Sequence, residues 1–155
     1  RQRQMCIRDS TSNGRLNGYK KAMTNAGLTI TDDYIQCGDY CIDGGYEAMM
    51  RLCKLQKRPT AIFISNYDMT IGAYLAINYL RLKIPDDISV IGFDNFPLAN
   101  VVNPPLSFAE QPTNVMGTEA GKLLYRRICG DYSDYPKTIM HKPTMHYKES
   151  IRQLT

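Results

Sequence analysis

Apolar residues along the chain follow two patterns, a helical spacing and short uniform runs. One set of four falls at i, i+3, i+4 and i+7, which predicts an amphipathic helix over 44–55. Its members are Tyr46, Met49, Met50 and Cys53. The uniform runs 61–64 and 88–93 predict strands buried on both faces. Because such strands and helices alternate, we predict an α/β fold with a parallel, doubly wound sheet.

The remaining elements extend this alternation in both directions. A helix is predicted from Ser12 to Gly27, where Leu16, Tyr19 and Met23 have helical spacing. The pattern therefore starts on a helix, and the strand that a βα repeat places before it is absent. Further strands are predicted at 34–37 and 106–108, and 138–147 is expected to be extended, with Pro143 marking an edge or a break. Further helices are predicted at 69–82 and 114–128.

The length and the charge of the chain restrict the classes of function that it can have. A chain of 155 residues corresponds to one domain, and no apolar run is long enough to span a membrane. The formal net charge is +4, but Arg1, Arg3 and Arg8 lie in the first ten residues. These ten residues do not show the regular apolar spacing of the rest of the chain. We therefore expect 1–10 to be a foreign leader. The body carries no basic cluster of the kind that binds nucleic acid.

Three segments of small polar and aromatic residues follow the predicted strands. They are Gly38-Asp39-Tyr40, Ser65-Asn66-Tyr67-Asp68 and Gly92-Phe93-Asp94-Asn95. Ligands of open α/β sheets bind outside the carboxyl ends of the strands, so these segments are expected to line one crevice. Paired oxygen and amide groups with an aromatic face suit a neutral polyol. For Asn66 alone, a role only in the turn or as a helix cap remains an equal alternative.

The cysteines, histidines and acidic pairs do not form a recognisable catalytic or metal-binding site. Five cysteines without a tight repeat favour reduced thiols, although a zinc site using Cys37 and Cys41 stays open as a minor alternative. His141 and His146 lie near no nucleophile motif. The acidic pairs at 32–33 and 86–87 are expected on the side opposite the crevice. We therefore predict a protein that is not an enzyme, with no cofactor and no metal.

Five blocks of sequence, in order, resemble regulators of the LacI/GalR family. They are Arg15 to Ala22, Gly38 to Ala48, Arg58 to Ala73, Ile84 to Asp94, and Pro104 to Gly117. The resemblance covers nearly all of 12–149 and implies a periplasmic-binding-protein-like core of two lobes around an effector cleft. It implies that 11–110 is mostly the C-terminal lobe. It places 111–135 as a crossover and helix of the N-terminal lobe, and 136–155 as the returning strand and tail.

The resemblance also implies an effector site. The expected effector-binding residues are Arg15, Tyr40, Asn66, Asp94 and Gln111. The sequence departs from the family motif at one point, because the usual Asn-Asp pair is replaced by Asn66-Tyr67. The nearest acidic residue is then Asp68, which is a candidate cap for the next helix. For Tyr40 the alternative is core packing, and for Asp94 a purely structural turn.

The function implied is the effector-binding portion of a transcriptional regulator whose ligand is a sugar or related small polar molecule. Operator DNA would be bound only through a helix-turn-helix headpiece that this sequence lacks. The intact protein is expected to be a cytoplasmic homodimer with no membrane partner. The resemblance places the helix 69–82 on the dimer face, and the alternative is that this helix only covers the core. The alternative is a soluble sugar-binding protein that serves a transporter.

Overall fold

In the computed structural model, which describes residues 2–94 and 97–153, four short strands form one mixed sheet. They are β1 (Ala61–Phe63), β2 (Ser89–Phe93), β3 (Ser107–Glu110) and β4 (Thr144–His146), in that spatial order. The pairs β1–β2 and β2–β3 are parallel, and β4 is antiparallel to β3. The parallel α/β fold expected from the sequence is confirmed for the first three strands.

Five α-helices are described between and around these strands. They are α1 (Gln2–Asn25), α2 (Ile42–Cys53), α3 (Tyr67–Tyr79), α4 (Leu98–Val101) and α5 (Thr113–Ile128). A 3-10 turn covers Asp32–Tyr34. The helix α1 begins earlier than the sequence pattern predicts, because its backbone continues back through the residues expected to be a leader. Within the described residues, no helix is both long and apolar enough to cross a bilayer.

The hydrophobic core lies between the sheet and the pair α2–α3. Met49 of α2 and Ile77 of α3 are almost completely buried and meet Ile88 and Val90 of the β2 region. Tyr46, Met50 and Cys53 of the predicted α2 stripe pack against this core, as their spacing requires. Burial of this apolar surface is the main stabilising contribution to the fold.

The two helices approach each other so closely that their contact requires glycine. A Cβ atom on Gly72 would lie 1.9 Å from the Ile42 carbonyl oxygen, and one on Gly45 would lie 2.5 Å from the Met69 carbonyl oxygen. Neither glycine has a positive φ, so the requirement comes from space and not from backbone conformation. The backbones of α2 and α3 are therefore in direct contact.

Serine hydroxyls attach the C-terminal segment to the sheet. Ser150, which is fully buried, donates from Oγ to the Val90 carbonyl at 2.7 Å and accepts from the Ser107 amide at 2.7 Å. The Ser150 carbonyl accepts from the Val90 amide at 2.9 Å, and the Ser89 hydroxyl accepts from the Arg152 amide at 3.0 Å. This segment thus satisfies buried backbone groups where β2 extends beyond β3.

An ion-pair network closes the carboxyl end of α5. Arg126 lies 2.7 Å from Asp131 and 3.0 Å from Asp134, and Arg127 lies 2.6 Å from Asp134. Hydrogen bonds from Ser133 and then from Arg126 lower the pKa of Asp131 to about 2. The arginines also lie where the negative end of the helix dipole favours positive charge. By contrast, α5 buries none of its residues, and Leu124, Tyr125 and Ile128 are exposed.

Two sequence-based expectations about strands are wrong. The segment 34–37 does not join the sheet, because the 3-10 turn Asp32–Tyr34 occupies its start and β1 is not adjacent to its backbone. β1 is not buried on both faces, since Phe63 is 41% exposed on the face opposite α2 and α3. In 138–147 the strand β4 begins directly after Pro143, where the sequence analysis expects an edge or a break, since proline cannot donate to a ladder.

The close α2–α3 contact predicts that Gly72→Ala destabilises the fold. The added methyl group would overlap the Ile42 backbone, and we expect a loss of at least about 2 kcal/mol in the free energy of unfolding. Urea titration followed by circular dichroism measures it. The matched control is Gly117→Ala in α5, where a Cβ meets nothing within 4 Å; it should leave stability unchanged or raise it by up to about 1 kcal/mol. Equal effects of the two variants would contradict the packing argument.

Candidate functional site

The carboxyl ends of the three parallel strands lie at one edge of the sheet. Ser65 and Asn66 follow β1, Asp94 follows β2, and Gln111 follows β3. In the β2–β3 register Phe93 pairs with Ala109, so Asp94 and Gln111 extend from neighbouring strands. Arg15 reaches the same edge from α1. We call this group of residues (Arg15, Ser65, Asn66, Phe93, Asp94 and Gln111) the rim.

Arg15 is held at the rim by two contacts. Its Nη1 donates to the Ser65 carbonyl oxygen, and its guanidinium carbon lies 3.9 Å from the centroid of the Phe93 ring. The Phe93 ring meets Phe63 edge to face, with centroids 6.4 Å apart. A guanidinium has five N–H donors in a planar fork, so Arg15 keeps donors beyond the one that Ser65 accepts.

Asp94 and Gln111 form a direct side-chain contact. Gln111 Nε2 donates to Asp94 Oδ1 at 2.5 Å, and the Asp94 amide donates to the Ala109 carbonyl at 2.8 Å. The Asp94 backbone has φ +78°, a left-handed conformation that residues with a Cβ rarely adopt. Its carboxylate is therefore oriented by a strained backbone and by the Gln111 amide together.

Asn66 is the N-cap residue of α3. Its Oδ1 accepts a hydrogen bond from the Met69 amide at 2.9 Å, and its carbonyl accepts from the Thr70 hydroxyl at 2.8 Å. The helix-cap role that the sequence offers for Asn66 is therefore present in the structure. The Nδ2 group of Asn66 takes no part in the cap. Asp68 is not the cap of this helix; it lies in the first turn of α3.

Tyr40 lies at the start of α2, in a turn with unusual backbone geometry. Both Asp39 and Tyr40 have positive φ, at 49° and 56°. The Tyr40 hydroxyl is buried and has no hydrogen-bond partner among the described residues. Arg15, Asn66, Asp94 and Gln111 are connected through the rim, but none of the described hydrogen bonds or ring contacts links Tyr40 to them. Asn95, the last residue of the third predicted segment, lies outside the described residues.

Two residues that shape the rim, Ser65 and Phe93, lie in segments expected to line the crevice but were not among the expected effector-binding residues. Phe93 carries the Arg15 guanidinium on its ring, and the Ser65 carbonyl accepts from Arg15. The aromatic position just before Asp94 is a signal for the first of these, since arginine often stacks on aromatic faces. No sequence signal identifies a backbone carbonyl as the partner of a side chain fifty positions away.

The rim offers hydrogen-bond donors and acceptors rather than a reactive group. It combines a guanidinium, a carboxylate and two amides, which can form paired bonds to neighbouring hydroxyls. In the part of the chain that the structure describes, no three His, Cys, Asp or Glu residues are placed to hold a metal ion. The Cys41 thiol serves instead as the N-cap of α2 and accepts from the Gly44 amide at 3.3 Å.

The structure has an α/β fold with the polar residues of the rim at one edge of its sheet, and comparisons with known proteins identify its family. The model of the periplasmic binding protein-like domain matches residues 3–151. The ribose operon repressor of Escherichia coli (strain K12) is 42% identical over 74% of this chain and 34% of the repressor. The HTH-type transcriptional repressor PurR of Histophilus somni (strain 2336) is 37% identical over 96% of this chain and 44% of the repressor.

A solved structure of the transcriptional regulator CelR in complex with cellobiose superposes on this chain with a TM-score of 0.81. The two are 29% identical, and the match covers 88% of this chain and 41% of CelR. The chain belongs to the periplasmic binding protein-like domain family, as a LacI/GalR-type effector-binding core. It spans less than half the length of these curated relatives. The family expected from the sequence is confirmed, and the proteins named here are two transcriptional repressors and a transcriptional regulator.

The cap geometry predicts that Asn66→Ala destabilises α3. Removing Oδ1 leaves the Met69 amide without its acceptor, and an N-cap lost to alanine costs about 1 kcal/mol. Asn66→Ser keeps a capping oxygen and should stay within a few tenths of a kcal/mol of the parent. Chemical denaturation of the three proteins tests this. If Ser were as destabilising as Ala, the stabilising role of Asn66 would not be the cap.

Proposed function

We propose that this chain is the effector-binding portion of a DNA-binding transcriptional regulator, and that its effector is a sugar or a related small polar molecule. The observation that carries the proposal is the rim itself, where Asp94 and Gln111 lie at the ends of adjacent parallel strands and Arg15 of α1 contacts the carbonyl of Ser65 after β1. The names of the relatives, two repressors and a regulator bound to cellobiose, support the same class.

The chemistry of the rim suits a neutral polyol. The Asp94 carboxylate accepts from ligand hydroxyls, while the Arg15 guanidinium and the amides of Gln111 and Asn66 donate to them. Contacts between an ionised group and a hydroxyl are about twice as strong as those between neutral groups. The Asp94–Gln111 contact orients the carboxylate before a ligand arrives, which reduces the entropy lost on binding.

Backbone strain supports the same location. The described residues other than glycine that have positive φ are Asp39, Tyr40, Arg81 and Asp94. Arg81 follows the end of α3, where a left-handed residue is an ordinary helix stop. The other three lie in the segments expected to line the crevice. Strained conformations persist mainly where function requires them, so Tyr40 belongs to the proposed site although its described contacts do not reach the rim.

The exposed surface of α5 supports the proposed division into lobes. In this division, residues 11–110 form the C-terminal lobe, 111–135 cross over to the N-terminal lobe, and 136–155 return. A helix with no buried residue and with exposed Leu124, Tyr125 and Ile128 has the surface expected of an element that packs on another lobe. The origin of 1–10 stays a prediction, although the family match begins at residue 3.

The mechanism proposed is linkage between effector and operator. An effector that binds between two lobes favours one closure state, and that state changes the spacing of two DNA-binding headpieces in a dimer. Operator DNA is contacted only by the headpiece, which these residues do not include, and the protein acts in the cytoplasm. A transporter-associated binding protein would share the fold, but the repressors among the relatives favour the regulator.

The proposed site predicts that Asp94→Asn weakens effector binding. The substitution keeps an oxygen for Gln111 but removes the charge that strengthens bonds to ligand hydroxyls, and we expect a loss of about ten- to a hundred-fold in affinity. The measurement is an NMR titration of the labelled chain with ribose and with cellobiose, with chemical shifts followed at Arg15, Asp94 and Gln111.

The matched control is Asp86→Asn, which makes the same chemical change before β2 begins, at the other end of that strand. It should leave the titration unchanged. If Asp94→Asn and Asp86→Asn gave the same affinity, the rim would not be the effector site.

The proposed homodimer uses an apolar stripe on α3. Leu75 and Tyr79 are 51% and 70% exposed, and Ile71 lies one turn before Leu75. Leu75→Glu would place a carboxylate in the interface of each subunit, and we expect the dimer dissociation constant to rise at least about tenfold. Sedimentation equilibrium measures it, with Val101→Glu, at an exposed position of α4, as the control. Unchanged dimerisation in Leu75→Glu would exclude α3 as the interface.

A further inference from the structure

Both histidines of the chain lie in segment 138–147, and each of them meets a glutamate of another element. His146 of β4 has its Nε2 atom 2.6 Å from Oε2 of Glu110, the last residue of β3. His141 has its Nε2 atom 3.2 Å from Oε2 of Glu119 in α5. Segment 138–147 is therefore linked to the sheet by one pair and to α5 by the other.

The His146 ring lies on an aromatic support. It stacks on the ring of Phe108, its partner in the β3–β4 register, with centroids 4.8 Å apart and an angle of 23° between the ring planes. Phe108 belongs to the buried core, so the position of its ring is fixed by packing. A protonated imidazole gains from this position, because the face of an aromatic ring attracts positive charge.

The second pair is partly shielded from water. The His141 side chain is 20% exposed, and Glu119 Oε2 is buried with no hydrogen-bond partner among the described residues. The contact between His141 and Glu119 is therefore ionic rather than a directed hydrogen bond, so its attraction requires a protonated imidazole. A buried carboxylate oxygen without a hydrogen bond is unfavourable, and a nearby positive charge offsets that cost.

Lys148 is the described cation nearest to the first pair. Its Nζ atom lies 5.3 Å from the Phe108 ring centroid and donates to Asn100 Oδ1 of α4. This charge opposes protonation of His146, whereas Glu110 in direct contact favours it. The helix α4 itself has no ionisable residue. The ion pair with Glu110 is therefore the dominant electrostatic influence on the His146 ring.

Two lysines lie near the second pair in the sequence. Lys142 follows His141 directly, and Lys122 comes three positions after Glu119 on α5. Both lysines are exposed, so water and salt screen their charges. They oppose protonation of His141 only weakly, while Glu119 in contact with the ring favours it.

The attraction in both pairs depends on pH. Imidazole ordinarily changes charge at about pH 6.5, and a glutamate carboxyl at about pH 4.3. Between these values both partners of each pair are charged. As the pH rises through neutrality the histidines lose their charge, and the ionic attraction is lost. The helix α5 buries none of its residues, so packing alone does not fix its orientation.

We propose that the two histidine–glutamate pairs form a pH-sensitive clasp that holds α5 in a fixed orientation to the sheet. The clasp is closed at about pH 5–6, where both pairs are ionised, and loosens as the histidines deprotonate toward about pH 8. β3 leads into α5 through residues 111–112, and the clasp joins these two elements a second time through segment 138–147. It does not depend on the identity of the effector.

The test follows amide hydrogen exchange by NMR, with each rate divided by that of an unstructured peptide at the same pH. Amides of β4 and of the middle of α5 should be at least about threefold more protected at about pH 5.5 than at about pH 8. The change should accompany the titration of the Cε1 protons of His141 and His146. The double variant Glu110→Gln with Glu119→Gln keeps the side-chain shapes but removes their charges, and it should lose the pH dependence.

Glu149→Gln is the matched control, because it makes the same change at an exposed carboxylate just after β4. It should keep the full pH dependence. His141→Gln and His146→Gln, made singly, separate the pairs: the first should remove the pH dependence of α5, and the second that of β4. The proposal is overturned if protection of α5 in the parent chain does not change with pH, or if the glutamate double variant keeps the parent's pH dependence. Loss of the pH dependence in Glu149→Gln would indicate a general effect of charge and would also overturn it.

Discussion

The direct backbone contact between α2 and α3 is the constraint on which the rest of the described structure depends. At Gly45 and Gly72 the helices meet without intervening side chains. The contact at Gly45 is with the backbone of Met69, and the Met69 amide donates to the cap oxygen of Asn66. The packing of two helices therefore determines where α3 begins, and so where Asn66 lies relative to the ends of the strands.

Further contacts within the protein orient the side chains of the candidate site. The Asp94 carboxylate is oriented by its left-handed backbone and by Gln111, and Arg15 is held between a carbonyl oxygen and an aromatic ring. Each of these groups has part of its hydrogen-bonding capacity satisfied by the protein and part available. A polar site built in this way binds with little reorganisation, which favours discrimination among similar ligands.

Parts of β1 and α5 are not covered by other described residues of the chain. One face of β1, the outward edge of β1 and the whole of α5 lack the packing that buries α2, α3 and β2. Apolar residues such as Phe63, Leu124 and Ile128 gain stability when they are removed from water, so these surfaces are where further polypeptide would pack. This agrees with a chain that spans less than half of its curated relatives.

The sequence by itself determined the helices α2, α3 and α5, the buried strand β2 and the family, because helical spacing, uniform apolar runs and ordered motifs are local signals. It also placed Asp94 and Gln111 after strands. Only the tertiary structure decided that 34–37 does not join the sheet, that β1 is exposed on one face, and that β4 is antiparallel. Strand pairing depends on which neighbours are present, and no local pattern encodes that. For the same reason the Arg15 contacts with Ser65 and Phe93 appear only when distant segments are brought together.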